Sequence, residues 1–191
     1  MPTYKLTYFR SRGLGEVSRQ LFHLSDTPFE DIRISQEDWP EFKKNTPFGQ
    51  MPLLEVLPQS QAIARFLARQ FGYAGKGAFE EAWVDAIGDQ FKDYFKELVP
   101  FILVLISSSR RSASQLYPII EKILGSSSSG FLVGDSLTWV DLLIADHVDI
   151  HHAMVKGFLS AYPKVLAHRN LVYSNPKLAE WIEKRPHYVD Y

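Results

Sequence analysis

Hydrophobic positions change their spacing several times along the chain, and each change marks an element. Tyr4–Phe9 is rich in β-formers, residues 13–24 place Leu14, Val17, Leu21 and Leu24 at helical spacing, and Phe29–Ile34 alternates apolar with charged residues. Together these runs predict a βαβ unit. Residues 38–44 predict a short exposed helix with Trp39, Phe42 and Lys43 on one side. Residues 53–57 read as one further strand, and residues 59–71 as a patterned helix carrying Ile63, Phe66, Leu67 and Gln70.

Residues 72–77 hold three glycines in six positions, the mark of a linker. Beyond them the pattern is helical: from 79 to about 105, from about 115 to 124, from 139 to 155 and from 176 to 184. The expected architecture is a small α/β domain over residues 1–74 followed by an all-helical domain over residues 75–191. Two serine-rich stretches, 107–112 and 125–130, read as flexible connections between helices.

Composition narrows the function classes. The chain has 191 residues, of which 46% are hydrophobic, enough for a sizeable core. Its 21 Lys plus Arg against 22 Asp plus Glu leave a net charge of -1, with no basic block longer than Arg110-Arg111. That balance argues against nucleic acid and against a polybasic membrane anchor. The longest apolar run, residues 98–106 with Pro100 inside it, is far short of the roughly 20 residues of a membrane span. The opening residues lack the layout of a signal peptide, so the expected location is the cytoplasm. Cysteine is absent, which removes disulfides, thiolate-ligated metals and any thiol nucleophile supplied by the protein. Sulfur chemistry, if there is any, arrives with a ligand.

Several motifs carry candidate chemistry, each beside a purely structural alternative. Pro52 at the head of a strand is compatible with a cis Met51-Pro52 bond that turns the Met51 backbone towards an extended peptide, or with an ordinary trans proline. Gln59-Ser60 opens a helix, where free N–H groups favour a carboxylate, or where Ser60 serves as a cap. Tyr8 ends the first strand, the edge at which open α/β sheets bind ligands; it is either a hydrogen-bond donor to a bound anion, with Arg10 or Arg12 nearby, or a core tyrosine. Thr138 and Asp141 have the spacing of a capping box. His147 and His151 lie four apart on the same helix, but a third ligand is missing, so satisfied or solvent-facing histidines and no metal are expected.

Taken in order, these signals resemble the cytosolic glutathione transferases, and among them the sigma class that includes nematode enzymes and the haematopoietic prostaglandin D synthase. The resemblance rests on Tyr4-Lys5-Leu6-Thr7-Tyr8-Phe9, Asp38-Trp39-Pro40-Glu41, Pro47-Phe48-Gly49-Gln50-Met51-Pro52, Pro58-Gln59-Ser60-Gln61-Ala62-Ile63-Ala64-Arg65, Val84-Asp85-Ala86-Ile87 and Gly134-Asp135-Ser136-Leu137-Thr138-Trp139-Val140-Asp141. It implies a thioredoxin-like N-terminal domain that binds glutathione, a helical C-terminal domain that walls a hydrophobic second-substrate site, and a homodimer. Tyr8 matches the catalytic tyrosine. Gln59 and Ser60 match the holders of the γ-glutamyl end, Met51 and Pro52 the backbone pair for the cysteinyl part, and Trp39, Lys43 and Gln50 the glycyl end. Asp93 matches the acidic residue that reaches glutathione from the partner subunit. Phe48 is a candidate interface aromatic. Ser11, Leu14, Phe101 and Leu105, with an aromatic tail at 187–191, are candidates for the second-substrate wall.

The implied activity is conjugation of glutathione to hydrophobic electrophiles, as in detoxification. The alternatives are a lipid isomerase or peroxidase on the same scaffold, or a non-catalytic, crystallin-like relative. The chain departs from the pattern in three ways. Leu14 stands where the prostaglandin synthase has arginine, the chain is somewhat shorter than its relatives, and it runs through Leu57-Pro58 directly into a helix with no turn for the family's β-hairpin.

Overall fold

The computed structural model describes residues 4–102, 106–154 and 157–186. Its elements in chain order are β1 (Tyr4–Phe9), α1 (Glu16–Leu24), β2 (Phe29–Ile34), α2 (Trp39–Phe42), β3 (Leu53–Leu54), β4 (Leu57–Pro58), α3 (Ser60–Phe71), α4 (Gly77–Ile102), α5 (Ile106–Ser126), α6 (Trp139–Met154), α7 (Pro163–Tyr173) and α8 (Pro176–Lys184). They form two compact units, Met1–Tyr73 with Pro176–Tyr191, and Ala74–Asn175.

The first unit is a thioredoxin-like α/β layer. Its four strands run in the order β2-β1-β3-β4, with β1 parallel to β2 and antiparallel to β3. A parallel neighbour requires a crossover, and α1 provides it. Leu6 of β1, Leu21 and Phe22 of α1, and Ile63 and Leu67 of α3 are buried together in the core. Phe22 also stacks on Phe29 with ring centroids 4.4 Å apart. Helix α3 stops where Gly72 takes a left-handed φ of 83°, a conformation that glycine adopts without a Cβ penalty.

The sequence gives no sign of a turn after Leu54, yet the structure contains one. Leu54 pairs with Leu57 and Leu53 with Pro58, so Glu55 and Val56 form a two-residue connection and the expected single strand is a short hairpin. Glu55 sits at φ 54°, unusual for a side chain other than glycine. Strand β1 holds it there: the Glu55 N–H donates to the Lys5 carbonyl at 2.9 Å, and the Lys5 N–H donates to the Glu55 carboxylate at 2.8 Å.

Helix α8 belongs to this first unit, whereas the spacing of residues alone groups it with the helical domain. Leu178 is its buried anchor, and Trp181 stacks on His23 of α1 at 4.0 Å.

The second unit is all-helical among its described residues. Residues 107–112 lie inside α5 and do not form a loop, and α7 is a helix that the apolar spacing does not reveal. A Cβ on Gly88 of α4 would stand 2.2 Å from the Trp139 ring, so the absence of a side chain there admits the buried indole at the start of α6. Half of the capping box forms: the Asp141 carboxylate accepts the Thr138 N–H at 2.8 Å as expected, but the Thr138 hydroxyl donates to that carboxylate at 2.6 Å and the Asp141 N–H donates to the Thr138 carbonyl at 3.1 Å.

Candidate active site

The period of β1 turns Leu6 and Tyr8 to one face, and both are buried. The chain then folds back over the Tyr8 ring. The Leu14 N–H donates to the Tyr8 hydroxyl at 3.1 Å, and Gly13 and Gly15 flank it so closely that a Cβ on either would lie 2.7 Å from a Tyr8 atom. Burial pushes the phenol above its ordinary pKa, while the Leu14 N–H and the positive charge of Arg19 pull the other way. Tyr8 is therefore a neutral phenol at physiological pH. Because its oxygen accepts from Leu14, its proton remains to be donated, and no acceptor for it is found among the described residues.

Arg19 is a buried cation beside Tyr8 that spacing arguments pass over, since it sits between Val17 and Leu21 in what reads as an ordinary amphipathic helix. Its side chain is wholly buried, with the guanidinium 5.8 Å from the centroid of the Tyr8 ring. It donates to the carbonyls of Ser11 at 2.8 Å and Phe9 at 3.4 Å, and to both oxygens of Asp31 at 3.2 Å. The loop between β1 and α1 is thus fastened from beneath by one cation. The positive charge of Arg19 acts on the phenol and favours its ionised form.

The remaining candidates of this unit gather on the loops around α2 and at the start of α3. Met51-Pro52 is a cis bond. Gln59 occupies the N-cap position of α3 at φ 78° without capping it, and its Nε2 donates to the Gln50 side-chain oxygen at 3.0 Å. Ser60 is the first helical residue, and its hydroxyl has no partner among the described residues. The N-cap side chain therefore makes no hydrogen bond to the first N–H groups of the helix. Trp39 packs edge-on to Phe9 at 5.4 Å, and Phe9 in turn contacts Tyr8 at 5.6 Å. The Lys43 stem passes over Gly49, where a Cβ would come within 3.2 Å of it.

Residues 4–69 match the model of the glutathione S-transferase N-terminal domain, and residues 109–185 match that of the C-terminal domain. This chain belongs to the glutathione S-transferase family. It is 48% identical over 203 residues to probable glutathione S-transferase 9 of Caenorhabditis elegans, covering 97% of this chain and 98% of that one. Among solved structures it is similar to monomeric Na-GST-3 of the hookworm Necator americanus, with TM-score 0.94, 42% identity, and 98% and 100% of the two chains covered. It is also similar to a Nu-class transferase of Haemonchus contortus, with TM-score 0.88, 45% identity, and 98% and 99% covered.

The family uses glutathione as its co-substrate, and the transferase residues named from the sequence divide into three groups. Tyr8, Trp39, Lys43, Gln50, Met51, Pro52, Gln59 and Ser60 all lie in the first unit, as do Ser11, whose carbonyl is taken by Arg19, and Leu14, whose N–H is taken by Tyr8. Asp93 is exposed on α4 in the second unit. Phe101 is on α4 with its side chain outside the described part, and Leu105 and residues 187–191 lie outside the described residues.

His147 and His151 are not arranged as metal ligands. His147 meets the Tyr94 hydroxyl at 2.8 Å and His151 the Tyr117 hydroxyl at 2.5 Å, all four side chains being buried. No group of three potential ligands stands together among the described residues, and none of the described helices is long and apolar enough to cross a membrane.

Proposed function

We propose that this transferase activates the glutathione thiol through the Tyr8 hydroxyl and conjugates it to hydrophobic electrophiles. The observation that carries the reading is the Tyr8 hydroxyl itself, neutral, polarised by the Leu14 N–H and left with a proton to donate. A free thiol has a pKa of about 8.5, so lowering it by about two units takes roughly 2.7 kcal/mol of preferential thiolate stabilisation. One hydrogen bond to a charged group supplies about 1.5–3 kcal/mol. The thiol proton passes to solvent and the thiolate accepts the Tyr8 proton as a hydrogen bond. Attack on an electrophilic carbon then forms a C–S bond as the leaving group departs with its electron pair.

The start of α3, where Gln59 makes no side-chain cap, suits the γ-glutamyl carboxylate together with Ser60. Met51 and Pro52 supply backbone to the cysteinyl part, and Trp39, Lys43 and Gln50 hold the glycyl end. Ser11 and Leu14 are assigned to the electrophile's wall, and Phe101 and Leu105 are assigned to it by resemblance alone. Leu14 in place of arginine weighs against an isomerase. Asp93 completes the glutathione site from the partner subunit of a homodimer, with exposed Phe48 at the interface, in a sigma-like cytoplasmic enzyme.

Turnover of an aromatic halide by Tyr8→Phe tests the reading. The variant is expected to keep its affinity for glutathione and lose about 10- to 100-fold in turnover, the worth of one charged hydrogen bond. An unchanged rate would overturn the tyrosine mechanism. Sedimentation of the purified protein tests the homodimer separately.

A further inference from the structure

The turn that closes over Tyr8 has few side chains with which to hold itself in place. Gly13 and Gly15 carry none, and Gly13 takes a φ of 37°. The turn opens at Arg12, whose carbonyl accepts the Gly15 N–H at 3.2 Å, and it presents the Leu14 N–H to the Tyr8 hydroxyl. Two glycines in three residues give it little conformational preference of its own, so its position has to be imposed by contacts with the residues around it.

Arg19 supplies such contacts. Its guanidinium is planar and offers five N–H donors in a fixed fork. Nη1 donates to the Ser11 carbonyl at 2.8 Å and reaches the Arg12 carbonyl at 3.5 Å, and Nη2 reaches the Phe9 carbonyl at 3.4 Å. One side chain thus holds the end of β1 and the two residues that lead into the turn. The guanidinium is itself fixed from behind, since Nε donates to both oxygens of Asp31 on β2 and Nη1 donates to Glu16 of α1 at 3.4 Å. Those two carboxylates have further partners, among them Arg33 on Asp31 at 2.7 Å, and Trp181 and Arg185 on Glu16 at 2.8 and 3.0 Å.

A wholly buried ion pair is a poor source of stability, because desolvation offsets most of the attraction. What the fork holds gives a better reason for it. We propose that Arg19 is a positioning residue of the transferase reaction: its fork fixes the Phe9, Ser11 and Arg12 carbonyls and through them aims the Leu14 N–H at the Tyr8 oxygen, leaving the phenol proton for the glutathione thiol. The inference rests on the assignment of Tyr8 as the thiol's hydrogen-bond donor.

The test is the apparent pKa of the glutathione thiol, read from thiolate absorbance in the binary complex and from the pH profile of kcat/KM for an aromatic halide at saturating glutathione. Arg19→Lys keeps the charge and loses the fork, since one ammonium does not span three carbonyls. It is expected to raise the thiol pKa by about half a unit and to lower kcat/KM about threefold below that pKa, with convergence above it. Arg19→Met lacks both charge and fork and is expected to raise it by about one unit, with a loss of about tenfold. A merely structural role would lower activity equally at every pH. In a Tyr8→Phe background Arg19→Lys should move the thiol pKa no further, because its effect passes through the phenol.

A folded Arg19→Lys with an unmoved thiol pKa overturns the proposal, as does an equal shift in the Tyr8→Phe background. If Arg19→Met does not fold, Arg19→Lys decides; if Arg19→Lys also fails to fold, the residue serves the fold rather than the reaction and the proposal falls. Tyr8→Phe alone keeps the two ideas apart. Full activity in that variant sinks the tyrosine reading, whereas an impaired Tyr8→Phe beside an unmoved Arg19→Lys sinks only the present inference.

Discussion

Gly15 and Tyr8 are so closely apposed that a Cβ on the glycine would stand 2.7 Å from Cδ1 of the ring and 2.8 Å from Cγ. The contact is with the rigid part of the side chain, so the ring cannot swing clear without losing the Leu14 N–H. Gly15→Ala is expected to destabilise the fold by about 1–3 kcal/mol and to lower turnover by displacing the phenol. Thermal unfolding and kcat, measured together, check this. A variant as stable and as active as the parent would show that the loop yields.

Ser60 distinguishes binding from capping. A cap loses about 1 kcal/mol of stability on truncation to alanine. Here the hydroxyl has no partner among the described residues, so Ser60→Ala should leave the melting temperature unchanged. Its effect should fall on the KM for glutathione, raised about tenfold by the loss of one hydrogen bond to a carboxylate, with kcat retained. Steady-state kinetics and calorimetry read the two effects separately.

Asp141 is a heavily committed carboxylate of the helical unit. It accepts from the Thr138 N–H and hydroxyl, from the Leu132 N–H at 2.9 Å and from His168 at 2.8 Å, with no exposure at all. Truncation strands several buried donors at once. Asp141→Ala should cost about 3 kcal/mol or more, well beyond an ordinary cap, as read by urea unfolding.

Acid should weaken the helical unit through His151. Burial lowers its pKa from 6.5 to about 4, so the unfolded chain takes up a proton before the folded one does. The folded pKa is depressed, so the stability it contributes is present above pH 6.5 and is lost as pH falls from there to about 4. The loss should approach about 3 kcal/mol, from the rule that one pKa unit is worth 1.36 kcal/mol. Urea unfolding of the parent and of His151→Asn across this range isolates the contribution. Parallel curves would assign acid sensitivity to other groups.

How far the sequence discloses the fold depends on where each element's information lies. Helix α3 carries its own stripe and is legible. Helix α7 buries only Val165, His168 and Val172, and the histidine at the centre of that stripe hides its period, although Pro163 at its first position is a usable start signal. Residues 107–112 join a helix anchored further on by Leu116, Tyr117, Ile120 and Leu124, since extending an established helix needs far less than starting one. The Glu55-Val56 turn has no turn residue of its own, because Lys5 of a different strand fixes it. The candidate site follows the same rule. Tyr8, Gln59 and Ser60 sit at element ends that patterning marks out, whereas the role of Arg19 comes from partners on α1, on β2 and in the loop after β1.

The membership of α8 in the first unit has a consequence for synthesis on the ribosome. Strands β1 to β4 and helices α1 and α3 emerge early, but Glu16 waits for Trp181 and Arg185, which are translated only after the whole of Ala74–Asn175. Until then the Glu16 carboxylate lacks two of its hydrogen-bond donors, so the first unit begins to fold first and is expected to finish last.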